Sequence, residues 1–78
     1  MKHEALQDLI GARITLFCMN YFYTGKLVRV YEECVLLEDA KIIYETGPLT
    51  SPEWKDAQPM PHTLYVMLGA VETFGIVK

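Results

Sequence analysis

The spacing of apolar positions changes once, near residue 13, and that change separates a helical segment from a series of strands. Residues 2–10 are good helix formers, with Leu6, Leu9 and Ile10 at helical spacing. Gly11 supplies a natural C-terminal stop. A short amphipathic helix over 2–10 is expected, laid across one open end of a sheet. From Ile14 onward the period is two: Ile14, Leu16 and Cys18 alternate with Thr15 and Phe17, the pattern of a half-buried strand. Met19-Asn20 suits a tight turn. Tyr21 to Tyr31 is rich in aromatic and β-branched residues, and Gly25 within it predicts a bend, bulge or close backbone approach. Glu32-Glu33 is polar and short enough for a hairpin connection. Cys34 to Tyr44 follows as a third strand, with Glu38-Asp39 marking a bulge or an exit to solvent.

The alternation stops at Glu45. Residues 45–62 carry Pro48, Pro52, Pro59 and Pro61 together with Gly47, Thr50 and Ser51, which predicts a variable insert without regular sheet. Ser51-Pro52-Glu53-Trp54 has the form of a helix start, so one helical turn is expected there, with Trp54 folding back on the sheet. Thr63 to Leu68 is again strand-like, Gly69-Ala70 permits a sharp turn, and Val71 to Val77 reads as a last strand. The expected count is one helix and five short strands, over about 13–44 and 63–77, in a single domain spanning 1–78.

Composition sharpens this picture. A chain of 78 residues buries only about 60% of its unfolded surface, so a lone monomer would be marginally stable. Small folds compensate with disulfides, a metal or association. Cys18 and Cys34 lie in apolar stretches with no secretory signal ahead of them, which reads as free thiols in a reducing, cytoplasmic setting. His3 and His62 have no partner at ligand spacing, so no metal and no cofactor are expected. Association remains, and an apolar content of 51% favours it. No apolar run approaches the ~20 residues of a membrane span. The net charge of −3 has the wrong sign for coating nucleic acid by bulk attraction. The charge is uneven, however. Residues 1–31 hold Lys2, Arg13, Lys26 and Arg29 against Glu4 and Asp8, so one end of the molecule is expected to be mildly basic.

A helix followed by five strands, with a bent second strand and a short connection to the third, resembles the Sm-like proteins. Ile14-Thr15-Leu16-Phe17, Gly25-Lys26-Leu27 and Cys34-Val35-Leu36-Leu37-Glu38-Asp39-Ala40 are similar to the first Sm motif. The spacing from Gly25 to Leu36-Leu37 looks like the bacterial Hfq branch. Val66-Met67-Leu68-Gly69-Ala70-Val71 resembles the second motif, whose glycine falls at Gly69. The resemblance covers about 60 of the 78 positions. It implies a mainly β fold: a small, strongly bent, five-stranded antiparallel barrel of SH3-like form with an N-terminal helix. It also implies a homo-oligomeric ring of about five to seven subunits, in which the fourth strand of one copy pairs with the fifth of the next. Tyr65, Val66, Met67, Val71, Phe74 and Ile76 would form that interface.

The same resemblance places an RNA site at the pore, which here falls on Tyr31, Glu32, Glu33, Leu68 and Gly69. The family's usual Asp, and the Asn or Gln-Phe beyond it, are replaced by Tyr31-Glu32-Glu33-Cys34. Its Arg or Lys-His pair is replaced by Leu68 and Gly69. The position of the pore carries over; its charged chemistry does not. Tyr31 can still stack on a base, a contact worth about 1–3 kcal/mol. No nucleophile elbow, phosphate loop or paired-carboxylate motif is present, so the chain reads as a non-enzyme. Two functions stand: a ring that binds single-stranded RNA in RNA metabolism or regulation, or an oligomeric protein-interaction scaffold with a degenerate RNA site.

Overall fold

The computed structural model describes residues 3–78. Six strands form one antiparallel sheet: β1 (Arg13–Cys18), β2 (Phe22–Val30), β3 (Cys34–Glu45), β4 (Asp56–Pro59), β5 (Leu64–Met67) and β6 (Val71–Gly75). A single helical turn, α1 (Glu4–Gln7), precedes them, and a short 3-10 turn, Leu68–Ala70, joins β5 to β6. The sheet runs β4-β3-β2-β1-β6, while β5 joins the same outer edge of β3 as β4 does.

β3 is the element on which the arrangement turns. Its first half, Cys34–Leu37, pairs with β5, and its second half, Lys41–Glu45, pairs with β4. Between them Asp39 adopts a left-handed conformation (φ 50°), and the chain changes direction. On the β2 side the register steps from Thr24↔Lys41 to Lys26↔Glu38, so Asp39 and Ala40 together oppose Gly25. Two residues against one is a β-bulge, and bulges bend a strand and increase its twist. Gly25 permits the close approach this requires. A Cβ there would lie 3.1 Å from the Ala40 Cα and 3.2 Å from the Glu38 carbonyl oxygen. The constraint is space, because Gly25 is not among the residues with positive φ. Arg13 braces the bend from β1, where its guanidinium donates to both the carboxylate and the carbonyl oxygen of Asp39.

The concave side of the bent sheet holds the core: Ile14, Leu16, Cys18, Leu27, Val35, Leu37, Ala40 and Val66, closed by Leu6 from α1. Ile14, Leu16 and Cys18 thus face the core as anticipated, but β1 is not half-buried, because Thr15 is buried as well. Thr15 and Thr24 are buried on the other face, and the Thr24 hydroxyl donates to the Ile14 carbonyl at 2.9 Å. Phe17 and Phe22, paired in register, meet edge to face there with centroids 4.6 Å apart.

Strand order also forces the sheet to curl. β5 and β6 follow one another in the chain, yet β3, β2 and β1 lie between them in the sheet. Four strand spacings in a flat sheet span about 19 Å, whereas the four Cα steps from Met67 to Val71 reach at most about 14 Å. The sheet must wrap to bring these ends together. Two hydrogen bonds fix the wrapped turn: Leu68 N–H to the Glu33 carbonyl at 2.9 Å, and Met19 N–H to the Ala70 carbonyl at 3.0 Å. β5 and β6 do not pair with each other, so each leaves an outer edge open.

Several expectations need correction. The helix is shorter than 2–10: Lys2 lies outside the described residues, and after Gln7 the chain continues in turns to Gly11, whose φ is 97°. Leu6 is buried and Leu9 packs on the core, but Ile10 is exposed, and Ala12 takes the third apolar contact. The insert contains a sixth strand, β4, despite its prolines. Pro59 is tolerated because β4 is an edge strand, where a missing N–H need not break the ladder. No helical turn forms at Ser51. Its hydroxyl accepts from Glu53 N–H as a cap would, but Ser51 N–H is already bound to the Pro48 carbonyl in a turn. Trp54 lies outside the core cluster. Of the four cations in residues 1–31, Arg13 and Lys26 sit against Asp39 and Glu38, and Lys2 lies outside the described residues.

Two measurements check this account. Gly25→Ala should cost about 1–3 kcal/mol, the range for overpacking a tight site, and Gly25→Val should prevent folding, as read by urea denaturation and circular dichroism. Leu6→Ala should cost about 2–5 kcal/mol, whereas Ile10→Ala should stay within about 0.5 kcal/mol of wild type.

Candidate functional site

The β2–β3 connection and the 3-10 turn meet at one end of the curled sheet. Tyr31, Glu32 and Glu33 lie on the first, and Leu68 and Gly69 on the second. The hairpin is closed by Tyr31 N–H donating to the Cys34 carbonyl at 2.8 Å, which leaves Glu32-Glu33 as its tip. The Glu33 carbonyl then receives Leu68 N–H, so backbone some 35 positions apart in the chain meets there, while the Leu68 side chain packs against the core. His3 reaches the same place: its Nε2 donates to the Glu32 carbonyl at 2.8 Å, from a residue held at φ 63° at the start of α1. A Cβ at Gly69 would meet nothing within 4 Å, so that side of the turn is open.

Tyr65, anticipated only as an interface residue, belongs to this surface as well. β5 alternates, with Val66 buried in the core and Tyr65 and Met67 turned outward, and Tyr65 lies opposite Leu36 in the ladder. Its ring stands 6.2 Å from that of Tyr31, tilted by 45°. Tyr31, Glu32, Glu33, Cys34 and Tyr65 together line an open depression. Both tyrosines are substantially exposed, at 39% and 57%. The period-two reading of Leu64–Met67 contained the signal for Tyr65. What it lacked was the partner strand, which determines that Tyr65 stands beside Tyr31.

The remaining interface candidates divide. Met67 and Ile76 are exposed, whereas Val71 and Phe74 are half-buried and lean on the core. Val66 is buried, so its side chain offers nothing to a partner. Ile76 lies past the end of β6. A second, more apolar groove of about 240 Å³ runs between the β1–β2 connection and β5, lined by Cys18, Tyr21, Tyr23, Leu64 and Met67 among others.

Cys18 and Cys34 are both free thiols. Burial pushes the Cys18 pKa above its ordinary value, and the negative charge of Glu72 adds to the effect. A thiol shifted that way is a poorer nucleophile at neutral pH. Tyr23 is raised as well, by burial first and then by Cys18, Tyr21 and Tyr44. Among the described residues no group of three or more His, Cys, Asp or Glu side chains is placed to hold a metal ion. None of the described helices is long and apolar enough to cross a membrane.

Compared with known proteins, the sequence matches no family model and no curated protein.

The Cys18 shift has a consequence for stability. Burial disfavours the thiolate, so the folded state keeps the proton at pH values where the unfolded thiol has lost it, and stability declines as pH rises through the thiol's ordinary value of 9.0. Urea midpoints should therefore fall as pH is raised from about 8 to 10, and Cys18→Ala should flatten that decline. Tyr23 adds a further loss only near and above its ordinary value of about 10.

Proposed function

We propose that this chain is a subunit of an Sm-like ring, in which the curled sheet acts as a small SH3-like barrel and copies associate by pairing β5 of one with β6 of the next. One observation carries the reading. Two strands adjacent in the chain stand at opposite ends of the sheet order, and each has an open outer edge. Open edges are sites of further pairing, and a head-to-tail contact of this kind closes by rotation into a ring of about five to seven copies. The exposed apolar side chains of Met67 and Ile76 along or beside those edges favour burial in such a contact.

The ligand of this ring is single-stranded RNA, taken up at the end where Tyr31 and Tyr65 stand together. Two exposed rings 6.2 Å apart present faces on which bases stack, and stacking tolerates sequence. Leu68 N–H, Leu68 O and Ala70 O are taken within the chain, so the backbone of Gly69, where a Cβ would meet open space, is left to supply the polar contacts that Arg or Lys-His make in the resembled family. Glu32 and Glu33, repeated round the ring, oppose phosphate. That observation favours the second reading, a protein-interaction scaffold without RNA.

Static light scattering at micromolar concentration should give five to seven times the mass of the chain, and a monomer would overturn the ring. Val66→Pro is a poor probe because Val66 is buried. Met67→Lys, on the outward side of β5, should disperse the ring and keep the fold. Fluorescence anisotropy with short U-rich and A-rich RNA should show weak, base-tolerant binding that changes only mildly with salt, since few cations reach phosphate. Tyr31→Ala or Tyr65→Ala should lose about 1–3 kcal/mol, and Glu33→Lys should strengthen binding. An absence of binding at low salt leaves the scaffold.

A further inference from the structure

The insert that follows β3 folds into a closed loop around a single ammonium group. Its neck is drawn together by Lys55 N–H donating to the Thr46 carbonyl at 3.3 Å and by the ion pair of Lys55 with Glu45 at 3.4 Å. Gly47 turns the chain at φ 68°, and a Cβ there would lie 3.1 Å from the Lys55 Cβ. Inside the neck, the turn from Pro48 to Ser51 and the contact of Glu53 N–H with the Ser51 hydroxyl set the course of the backbone. That course brings three carbonyl oxygens to one point. Lys78 Nζ donates to Thr46 O at 2.9 Å, to Pro48 O at 3.0 Å and to Glu53 O at 2.7 Å. The same nitrogen stands 4.4 Å from the centroid of the Trp54 ring.

An ammonium has three protons and no acceptor, and here each proton has a carbonyl to itself. Thr46 O and Pro48 O each receive a second hydrogen bond, from Lys55 N–H and Ser51 N–H, which uses both lone pairs of those oxygens. The fourth bond of the nitrogen is to its own Cε, and the indole face lies against the flank of the ammonium, where its quadrupole attracts a cation. Among the described residues no ion pair joins Lys78 to a carboxylate, so the recognition is by oriented dipoles and a π face. An arrangement of this kind is selective. A carboxylate would accept any cation, but three convergent carbonyls fit a tetrahedral N–H₃ group and leave the planar guanidinium fork of arginine mismatched.

We propose that the loop Thr46–Lys55 is a binding site for a primary ammonium group, with Trp54 as its aromatic wall, and that Lys78 of the same chain is its resident ligand. The site does not depend on ring formation or on RNA. Filled by Lys78, it ties the segment after β6 to the segment after β3, across residues 25 to 32 positions apart. Emptied, it accepts another lysine-like ammonium from solution.

The test uses Trp54, the single tryptophan of the chain, as reporter. Lys78→Ala, confirmed as folded by far-ultraviolet circular dichroism, should change the Trp54 emission. Titration with n-butylammonium chloride at constant ionic strength should restore the wild-type spectrum saturably. Tetramethylammonium, which has no N–H, should act about tenfold or more weakly, the loss expected from giving up even one charged hydrogen bond. Wild type, its site filled, should respond to neither, and Lys78→Arg should resemble Lys78→Ala more than wild type. An unchanged Trp54 spectrum in Lys78→Ala, or equal responses to the two ammonium ions, overturns the proposal. Should Lys78→Ala fail to fold, nitrogen-15 spectra of wild type decide. A slowly exchanging Lys78 ammonium coupled to carbonyl carbons is expected, and a signal broadened like those of the solvent-exposed lysines refutes the site.

Discussion

The close approach of Gly25 to Ala40 governs the path of β3, and the path of β3 governs everything outward of it. A strand that ran straight from Cys34 to Glu45 would offer one edge to one partner. Bent at Glu38-Asp39-Ala40, it offers two short edges in different directions, taken by β5 and β4. The bend is maintained by mutually dependent features: the missing Cβ of Gly25, the extra residue of the bulge, the left-handed backbone of Asp39, and the reach of Arg13 to both oxygens of that residue. The ion pair itself is exposed and contributes on the order of 0.2–1 kcal/mol. Its value is positional, since it fixes a residue whose conformation has an intrinsic cost.

With the bend in place, the small core can close. Leu37 and Ala40 point inward from either side of it, Val66 follows from β5, and Leu6 covers the open end. The short 3-10 turn then brings β5 and β6 to opposite rims of a curled sheet, fastened to the two hairpin connections beneath by Leu68 and Met19. This fastening also assembles the tyrosine-lined surface, because the hydrogen bond from Leu68 to Glu33 is what sets the turn beside Tyr31. The fold and the candidate site are thus consequences of the same few contacts, and neither needs a large core. Within one chain the outer edges of β4, β5 and β6 are left unpaired.

Much of this was legible along the chain because it is local. The alternation of Ile14, Leu16 and Cys18 located β1 and its inward face. Gly25 located the close approach, and Glu32-Glu33 the hairpin tip. Features set by distant partners were not legible. Prolines argued against sheet in the insert, but only Pro59 falls within β4, and an edge strand accommodates it. Ile10 has helical spacing to Leu6, yet the helix ends at Gln7 and the spacing no longer applies. Ser51-Pro52 carries the composition of a helix start, and the turn to Pro48 claims the backbone first. Tyr65 was read as an interface residue because nothing in its neighbours announces Tyr31, 34 positions earlier. The seat of Lys78 among three carbonyls is likewise invisible in sequence, since main-chain oxygens carry no residue code.

The central claim is that the open edges of β5 and β6 are completed by other copies of the chain. Amide hydrogen exchange measured across a range of protein concentrations tests it most directly, because edge amides exchange freely until a ladder covers them. The account predicts that amides in Leu64–Met67 and Val71–Gly75 become protected together as concentration rises, while those of β1, β2 and β3 stay unchanged. Rapid exchange along both outer edges at every concentration would contradict it.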